Sequence, residues 1–322
     1  MAVEAPPETT TPPPAAERTE ARDSSASWPT RDRVALGLCA VAAFLVLYML
    51  VKGLSDLQLS LLTESPRTGG DQTGTGGFFD PIIGSILLAV MGTVLALPLG
   101  VATAVWLSEY ARPFWLARAV ESGVEVLAGT PSIVLAFFGL TFFGQAFFGF
   151  LSPVGENANP LGRSFFIAGT MMSFIALPLI VGSTREALQS IPGHIREASY
   201  ALGKTKAATI RRVLLPTARP GIATGGALGL GRIVGDTAIV VVLLGATLTI
   251  QPEPADRYDP YSVLRGTGST LTSYVYNNAV GEGGSPDKAY AAAFVLLLLV
   301  LALTFAVDLI ARNRKEPAWM GQ

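Results

Sequence analysis

The sequence has 322 residues, of which 50% are hydrophobic and only 15% are charged. A soluble domain carries about 25% charged residues, so this composition excludes an ordinary soluble protein. Charged residues are concentrated in short segments between long apolar ones, which is typical of a chain that alternates between water and lipid. The only cysteine, Cys39, and the only histidine, His194, have no companions with which to form a disulfide or a metal site. We therefore predict no catalytic residues and no metal ligands, and the formal net charge of −1 gives no indication of nucleic-acid binding.

Residues 1–33 are rich in proline, threonine, alanine and glutamate and contain few large hydrophobic residues. Such a segment cannot bury enough apolar surface to offset the entropy lost on ordering, so we predict a disordered tail. Its acidic residues and the lack of a cleavage site argue against a secretory signal. Residues 34–54 are therefore expected to remain as a first transmembrane anchor.

Six apolar segments are long enough to cross a hydrocarbon core about 30 Å thick, which needs roughly 20 residues of helix. We predict that they cover residues 34–54, 82–107, 124–151, 165–182, 221–250 and 289–310. Pro98, Pro131 and Pro178 fall within three of these spans, where a carbonyl freed by proline would be costly if it faced lipid. The predicted fold is therefore an all-α membrane protein, a packed bundle of six transmembrane helices.

The basic residues of the loops predict the orientation of this bundle. Sixteen lysines and arginines lie in segments 1–33, 108–123, 183–220 and 311–322, against five in segments 55–81, 152–164 and 251–288. Because cytoplasmic loops carry the excess of lysine and arginine, both termini are predicted to be cytoplasmic. The expected location is the cytoplasmic (inner) membrane, crossed by several spans.

The cytoplasmic loop at 183–216 contains a pattern for a short helix over residues 197–202, and Gly203 permits the left-handed conformation that often ends a helix. Its spacing resembles the EAA loop of ABC-importer permeases, in which Glu-Ala-Ala is followed by a glycine and then by Ile-x-Leu-Pro. The resemblance implies the type I ABC importer permease architecture, with a cytoplasmic coupling helix that docks on an ATPase through Glu197, Ala198, Ser199 and Gly203. The run LGKT at 202–205 is similar to the end of a P-loop, but Ala198 stands where that motif needs glycine. We therefore expect a separate subunit to bind and hydrolyse ATP, and we predict neither a cofactor nor enzyme activity for this chain.

The fifth predicted span carries Arg232 and Asp236 on one side of a glycine-rich helix. Its glycines are expected to let another helix approach closely: Gly221, Gly225, Gly229, Gly231 and Gly235. Inserting an arginine this deep in a bilayer costs at least about 2.5 kcal/mol, so we expect Arg232 to have a structural or functional role. One interpretation is an ion pair that locks helices together. The other is that Arg232 donates to a passing oxyanion, with Asp236 and Thr237 beside it, because a guanidinium fork matches phosphate geometry.

The third predicted span is interrupted at Gly129 and Pro131, with hydroxyl groups on Thr130 and Ser132. The N-terminal end of a broken helix presents free N–H groups to an anion, which makes these hydroxyls candidates for the substrate pathway. The alternative is a packing kink whose hydroxyls bond to their own helix.

Four runs of this sequence resemble the PstA permeases of phosphate ABC importers: EYA at 109–111, LAGTPSIV at 127–134, REA at 196–198 and GRIVGDTA at 231–238. The family pattern around the arginine is Gly-Arg-x-x-Gly-Glu-Thr, so Asp236 keeps the charge of the glutamate on a shorter arm. The resemblance implies a permease core at 82–310 and a cytoplasmic end at 311–322. It also implies a heterodimer with a PstC-type permease, two ATPase subunits and an extracytoplasmic phosphate-binding protein.

Several alternatives stay open at this stage. A PstC-type sister subunit shares several motifs, and the Arg232–Asp236 pair does not distinguish phosphate from sulfate or molybdate. An amino-acid permease is a further alternative within the same class. A secondary transporter typically shows repeated halves and needs no docking loop, and a membrane-embedded enzyme needs a nucleophile–base pair or a metal cluster.

Overall fold

The computed structural model describes residues 30–66, 76–155, 160–245, 248–251, 260–280 and 284–312. Within these ranges the regular secondary structure is helical, apart from isolated bridges that pair Val154 with Pro160 and Gln251 with Thr267. The helices are, in chain order, α1 (Thr30–Ser55), α2 (Leu59–Thr63), α3 (Phe79–Val105), α4 (Phe114–Gly129), α5 (Ser132–Phe143), α6 (Phe165–Gln189), α7 (Gly193–Ala201), α8 (Lys206–Thr209), α9 (Leu215–Thr217), α10 (Arg219–Gly235), α11 (Ala238–Leu244), α12 (Pro260–Arg265), α13 (Leu271–Val280) and α14 (Pro286–Arg312). Single turns of π-helix follow α3 (Trp106–Tyr110) and α8 (Ile210–Leu214), and a 3-10 turn covers Ala146–Phe148.

The chain divides into two compact units, Met1–Leu47 and Tyr48–Gln322. In the first unit the described residues belong to α1, and its apolar side chains from Val34 to Leu47 are exposed. An apolar helix with all of its sides exposed requires an apolar solvent, as the predicted anchor does. Most of the predicted tail, residues 1–29, and the end of the chain from 313 lie outside the described residues.

Long apolar helices dominate the described part of the chain. Four of them are long and apolar enough to cross a membrane: Val34–Ser55, Phe79–Tyr110, Phe165–Gln189 and Pro286–Leu309. Two bent helix pairs pass the same test when each pair is taken as one span, which raises the number within the described residues to as many as six. The predicted class of an all-α membrane protein is confirmed, with four to six candidate spans where six were predicted. Pro98 and Pro178 lie inside α3 and α6 without breaking them.

Three predicted spans differ from the described helices in bounds or shape. The span predicted at 124–151 is two helices, α4 and α5, that meet at an angle of 109° at the predicted interruption between Gly129 and Pro131. Proline lacks an N–H and disfavours helical geometry at the residue before it, and Thr130 accordingly adopts an extended conformation next to Pro131. The span predicted at 221–250 is likewise divided into α10 and α11, at 59°. The span predicted at 165–182 continues as helix to Gln189, because helix formation does not stop where the apolar segment ends.

Helix α6 lies at the centre of the bundle, and its buried side chains form much of the main hydrophobic core with residues of α3, α5 and α11. Glycines let the neighbouring helices approach it. A Cβ atom on Gly225 of α10 would lie 3.1 Å from Ile180 Cα, and one on Gly229 would lie 3.2 Å from Ile180 Cδ1. On α3, a Cβ on Gly100 would lie 2.6 Å from Cγ2 of the same Ile180. Close packing of this kind fixes where α10 presents its polar residues.

Candidate functional site

The break between α10 and α11 holds Asp236 in a fixed position. Its backbone is extended (φ −82°, ψ 127°), so the helix ends at Gly235 and a new one starts at Ala238. The Asp236 carboxylate is buried, and its Oδ1 accepts a hydrogen bond from the backbone N–H of Ile239 at 3.0 Å. A carboxylate in this position caps the start of α11 and complements the positive end of its dipole.

Arg232, in the last turn of α10, is only loosely paired with this carboxylate. The distance from its NH2 to Asp236 Oδ2 is 3.8 Å, which is too long for a hydrogen bond. The Arg232 side chain is 48% exposed, whereas the Asp236 side chain is 3% exposed. Within the described residues Arg232 donates no hydrogen bond, so its N–H groups are available to an anion.

Hydroxyl groups from a distant part of the sequence lie beside this pair. Thr272, in the first turn of α13, donates a hydrogen bond to the backbone oxygen of Asp236 at 3.4 Å. Thr270 and Ser273 cap the same helix end reciprocally, each hydroxyl accepting from the backbone N–H of the other residue. Our sequence reasoning did not predict this cluster. The Thr-x-x-Ser spacing is a variant of the capping box, and it is the signal that could have found this helix start.

The five predicted packing glycines do not behave alike. A Cβ atom on Gly221 would overlap the side chain of Ala187, and Gly225 and Gly229 also lie against α6. A Cβ on Gly231 or Gly235 would meet nothing within 4 Å among the described residues. The packed face of α10 continues through the buried Ile233 and Val234, and Gly231 and Gly235 lie on a different side of the helix.

At the break between α4 and α5 the two predicted hydroxyls differ. Thr130 Oγ1 donates to the backbone oxygen of Val126 at 2.6 Å, so this hydroxyl bonds to its own helix. Ser132 is the first residue of α5, is half-buried, and makes no side-chain hydrogen bond within the described residues. No described hydrogen bond joins Thr130 or Ser132 to Arg232, Asp236 or the half-buried Thr237.

The loop between α6 and α10 forms a short helix, α7, over Gly193–Ala201, which begins and ends earlier than the predicted 197–202. It ends at Gly203, whose φ of +75° is the left-handed conformation that the sequence predicted. Glu197 and Ala198 are exposed, and so is Leu202, which is 80% exposed and was not among the predicted docking residues. Ser199 is buried instead, and its hydroxyl is 2.8 Å from Thr209 Oγ1. Ser199 therefore lies on the face of α7 that packs against the loop, whereas Glu197 and Ala198 lie on the exposed face.

Comparisons with known proteins identify the family to which this chain is similar. The profile of the binding-protein-dependent transport system inner membrane component matches residues 96–315. The phosphate transport system permease protein PstA of Mycobacterium leprae is 34% identical over 243 residues, which cover 75% of this chain and 72% of that protein. The phosphate transport system permease protein PstC of Xylella fastidiosa is 31% identical, covering 74% of this chain and 76% of that protein.

A solved structure shows the same fold. The structure of a bacterial ABC transporter involved in alginate import aligns with a TM-score of 0.58 at 17% identity, covering 89% of this chain and 98% of that one. Since the family profile covers more than half of the sequence and includes α7, α10 and α11, this chain belongs to the inner membrane components of binding-protein-dependent transport systems and is a permease subunit of an ABC importer.

Proposed function

We propose that this chain is the PstA-type permease subunit of an importer that moves inorganic phosphate across the cytoplasmic membrane, with both termini in the cytoplasm. The observation that carries the proposal is the Arg232 guanidinium, half-exposed at a helix break and with its hydrogen-bond donors unused within the described residues. The PstA relative at 34% identity and the PstC relative at 31% identity support phosphate as the substrate.

The geometry of Arg232 and Asp236 suits transient binding of an oxyanion. The guanidinium can donate two parallel hydrogen bonds to phosphate, and each charge-assisted bond contributes about 1.5–3 kcal/mol. Asp236 is held in its position, because it caps α11 and is buried. Its negative charge 3.8 Å away limits how tightly Arg232 holds an anion, so phosphate can be released again.

The neighbouring hydroxyls extend this pathway. Thr237 directly follows Asp236, and Ser132 stands at the N-terminal end of α5, where its hydroxyl has no partner among the described residues. Both can donate to phosphate oxygens. Thr130 contributes less directly, since its hydroxyl is bound to Val126 and its conformation forms the turn into α5.

The exposed face of α7 is the proposed docking site for an ATPase subunit. Glu197, Ala198 and Leu202 offer one charge, one small side chain and one apolar side chain on a short helix that Gly203 ends. In the assembly that we propose, this chain pairs with a PstC-type permease, and the pair works with two ATPase subunits and an extracytoplasmic phosphate-binding protein. ATP is bound and hydrolysed by the ATPase subunits.

The test is ATP-dependent uptake of labelled phosphate in proteoliposomes that contain the whole assembly, with sulfate and molybdate as competitors. We expect Arg232→Ala to lower uptake by about tenfold or more, the factor that corresponds to one lost charge-assisted hydrogen bond. Arg118→Ala is the matched control, since Arg118 is an exposed arginine of α4 that lies over the ring of Phe114.

Each outcome has a distinct meaning. Normal uptake by an assembled Arg232→Ala complex would show that Arg232 and Asp236 form a structural ion pair only. Uptake of sulfate or molybdate in place of phosphate would contradict the substrate and leave the permease assignment in place. Assembly of this chain with a PstA protein, and not with a PstC protein, would identify it as the sister subunit.

A further inference from the structure

An ion pair joins the docking helix α7 to the end of the long helix α3. Glu109 lies in the π-turn that ends α3, and its side chain is only 7% exposed. Its Oε1 accepts hydrogen bonds from Arg196 of α7, at 3.2 Å from Nε and 3.1 Å from NH2. The two residues are 87 positions apart in the sequence, so the contact is a product of the fold.

Arg196 also holds the end of α6. Its NH1 donates to the backbone oxygen of Ile191 at 2.7 Å, and its NH2 donates to that of Leu188 at 2.8 Å. Carbonyls at the C-terminal end of a helix lack partners within the helix and carry the negative end of its dipole. One guanidinium therefore fastens α3, α6 and α7 to one another.

A second contact holds the far side of the same loop. The Lys206 ammonium donates to the backbone oxygen of Glu109 and lies 4.7 Å from the centre of the Tyr110 ring. Lys206 begins α8, directly after the loop that Gly203 opens. The loop from α7 to α8 is thus attached at both ends to Glu109 and Tyr110, while Glu197, Ala198 and Leu202 stay exposed on its other face.

The helix that ends at Glu109 also packs on α10 beside the proposed anion site. Gly92 of α3 packs so closely on α10 that a Cβ there would lie 3.0 Å from Cδ1 of Ile233. Ile233 is buried and is the neighbour of Arg232 in the sequence. A shift of α3 along its axis would therefore displace Ile233, the residue next to Arg232, because close-packed helices transmit displacement.

We propose that Glu109 and Arg196 are positioning residues that pass the movement of α7 to α3, and through α3 to the site at Arg232. This inference rests on the proposed function, in which α7 docks on an ATPase. It separates two roles within the loop, since the exposed face of α7 binds the partner and the buried Glu109–Arg196 pair carries the movement into the membrane.

The experiment measures phosphate uptake and ATP hydrolysis together, in proteoliposomes that contain the whole transport assembly. For Glu109→Gln we expect ATPase association and ATP hydrolysis to be retained. The phosphate carried per ATP should fall about tenfold, within the range that is typical of coupling between two sites. Glu121→Gln is the matched control, because it removes the partner of Arg185 in a more exposed ion pair between α4 and α6 that does not involve α7. This control should leave the ratio unchanged.

A second variant covers the case in which Glu109→Gln fails to assemble. Arg196→Lys keeps a positive charge opposite Glu109 but cannot also hold the carbonyls of Leu188 and Ile191 with a fork of donors. We expect it to assemble and to carry less phosphate per ATP than the wild type. A wild-type ratio in either assembled variant would overturn the proposal.

Failure of the proposed substrate would look different. A wild-type assembly that carries no phosphate would contradict phosphate transport, and the same ratio would then be measured with sulfate or molybdate, whichever it carries. A wild-type assembly that carries phosphate, with Glu109→Gln at the same ratio, would contradict the linkage alone.

Discussion

At the residue scale, Asp236 combines a structural and an electrostatic role. Its Oδ1 caps α11 by accepting from Ile239, while its Oδ2 faces Arg232 at 3.8 Å. The family pattern that this run resembles has glutamate at this position. Aspartate is favoured over longer side chains as a helix cap, because its short arm reaches the backbone N–H groups of the first turn. The shorter acid therefore keeps the charge next to Arg232 and also stabilises the break between the two helices.

Tyr274 provides a prediction at the same scale. Its ring is fully buried against Phe78, and its hydroxyl has no hydrogen-bond partner among the described residues. Burial raises the pKa of Tyr274 from 10.0 to about 12. Folding thus favours the neutral phenol, and this contribution to stability is complete below about pH 10 and is lost as pH rises through about 12.

We therefore expect Tyr274→Phe to be at least as stable as the wild type at neutral pH, since it removes a buried hydroxyl without a partner. Between about pH 10 and about pH 12 the variant should lose less stability than the wild type. Thermal unfolding in detergent across this pH range measures both effects. Parallel loss of stability in the two proteins would show that Tyr274 ionises in the folded state as readily as in the unfolded one.

At the element scale, the glycines of α10 differ in whether they pack against a neighbouring helix. Gly221, Gly225 and Gly229 lie against α6, where a side chain would collide with Ile180, Ser183 or Ala187. Gly231 and Gly235 meet no neighbour within 4 Å among the described residues. The first three glycines therefore allow α6 to approach closely, whereas the last two are not needed for packing among the described residues.

The same substitution at two glycines tests this division. Gly221→Ala adds a methyl group that would overlap Ala187, so we expect it to lower the free energy of unfolding by about 1–3 kcal/mol, as overpacking does. Gly231→Ala should leave it unchanged or raise it by up to about 1 kcal/mol, because alanine is the better helix former. Unfolding of the purified chain in detergent measures both, and equal effects would contradict the packing of α10 on α6.

At the scale of the whole molecule, two of the six candidate spans are bent helix pairs. The pair α4–α5 turns by 109° and the pair α10–α11 by 59°, so neither is a straight span. Irregular backbone at membrane depth is tolerated where it is buried in protein or lines a cavity. We therefore expect both bends to face protein or a cavity. The α4–α5 bend carries the hydroxyls, and the α10–α11 bend carries the charged pair, that we assign to the substrate pathway.

Orientation gives the prediction for the whole molecule. In a Cys39→Ser background, Leu161→Cys places a thiol at an exposed position of segment 152–164, and Lys204→Cys places one in the exposed loop after α7. A membrane-impermeant maleimide added to intact cells should label position 161 only, and position 204 should react after permeabilisation. Labelling of position 204 in intact cells, with position 161 reacting only after permeabilisation, would contradict cytoplasmic termini. The loops rich in lysine and arginine would then lie outside the cytoplasm.

The sequence by itself determined which segments are apolar enough for a membrane, where α7 ends, and that Arg232 and Asp236 are neighbours. These properties depend on local composition, on the conformation of a glycine and on spacing along one helix. Only the tertiary structure decided that the fifth predicted span also bends, that Ser199 faces inward, that Thr272 lies beside Asp236, and that Glu109 meets Arg196. Contacts between residues so far apart in the chain depend on how helices pack, and that packing is set by the shape of the whole bundle and not by any single segment.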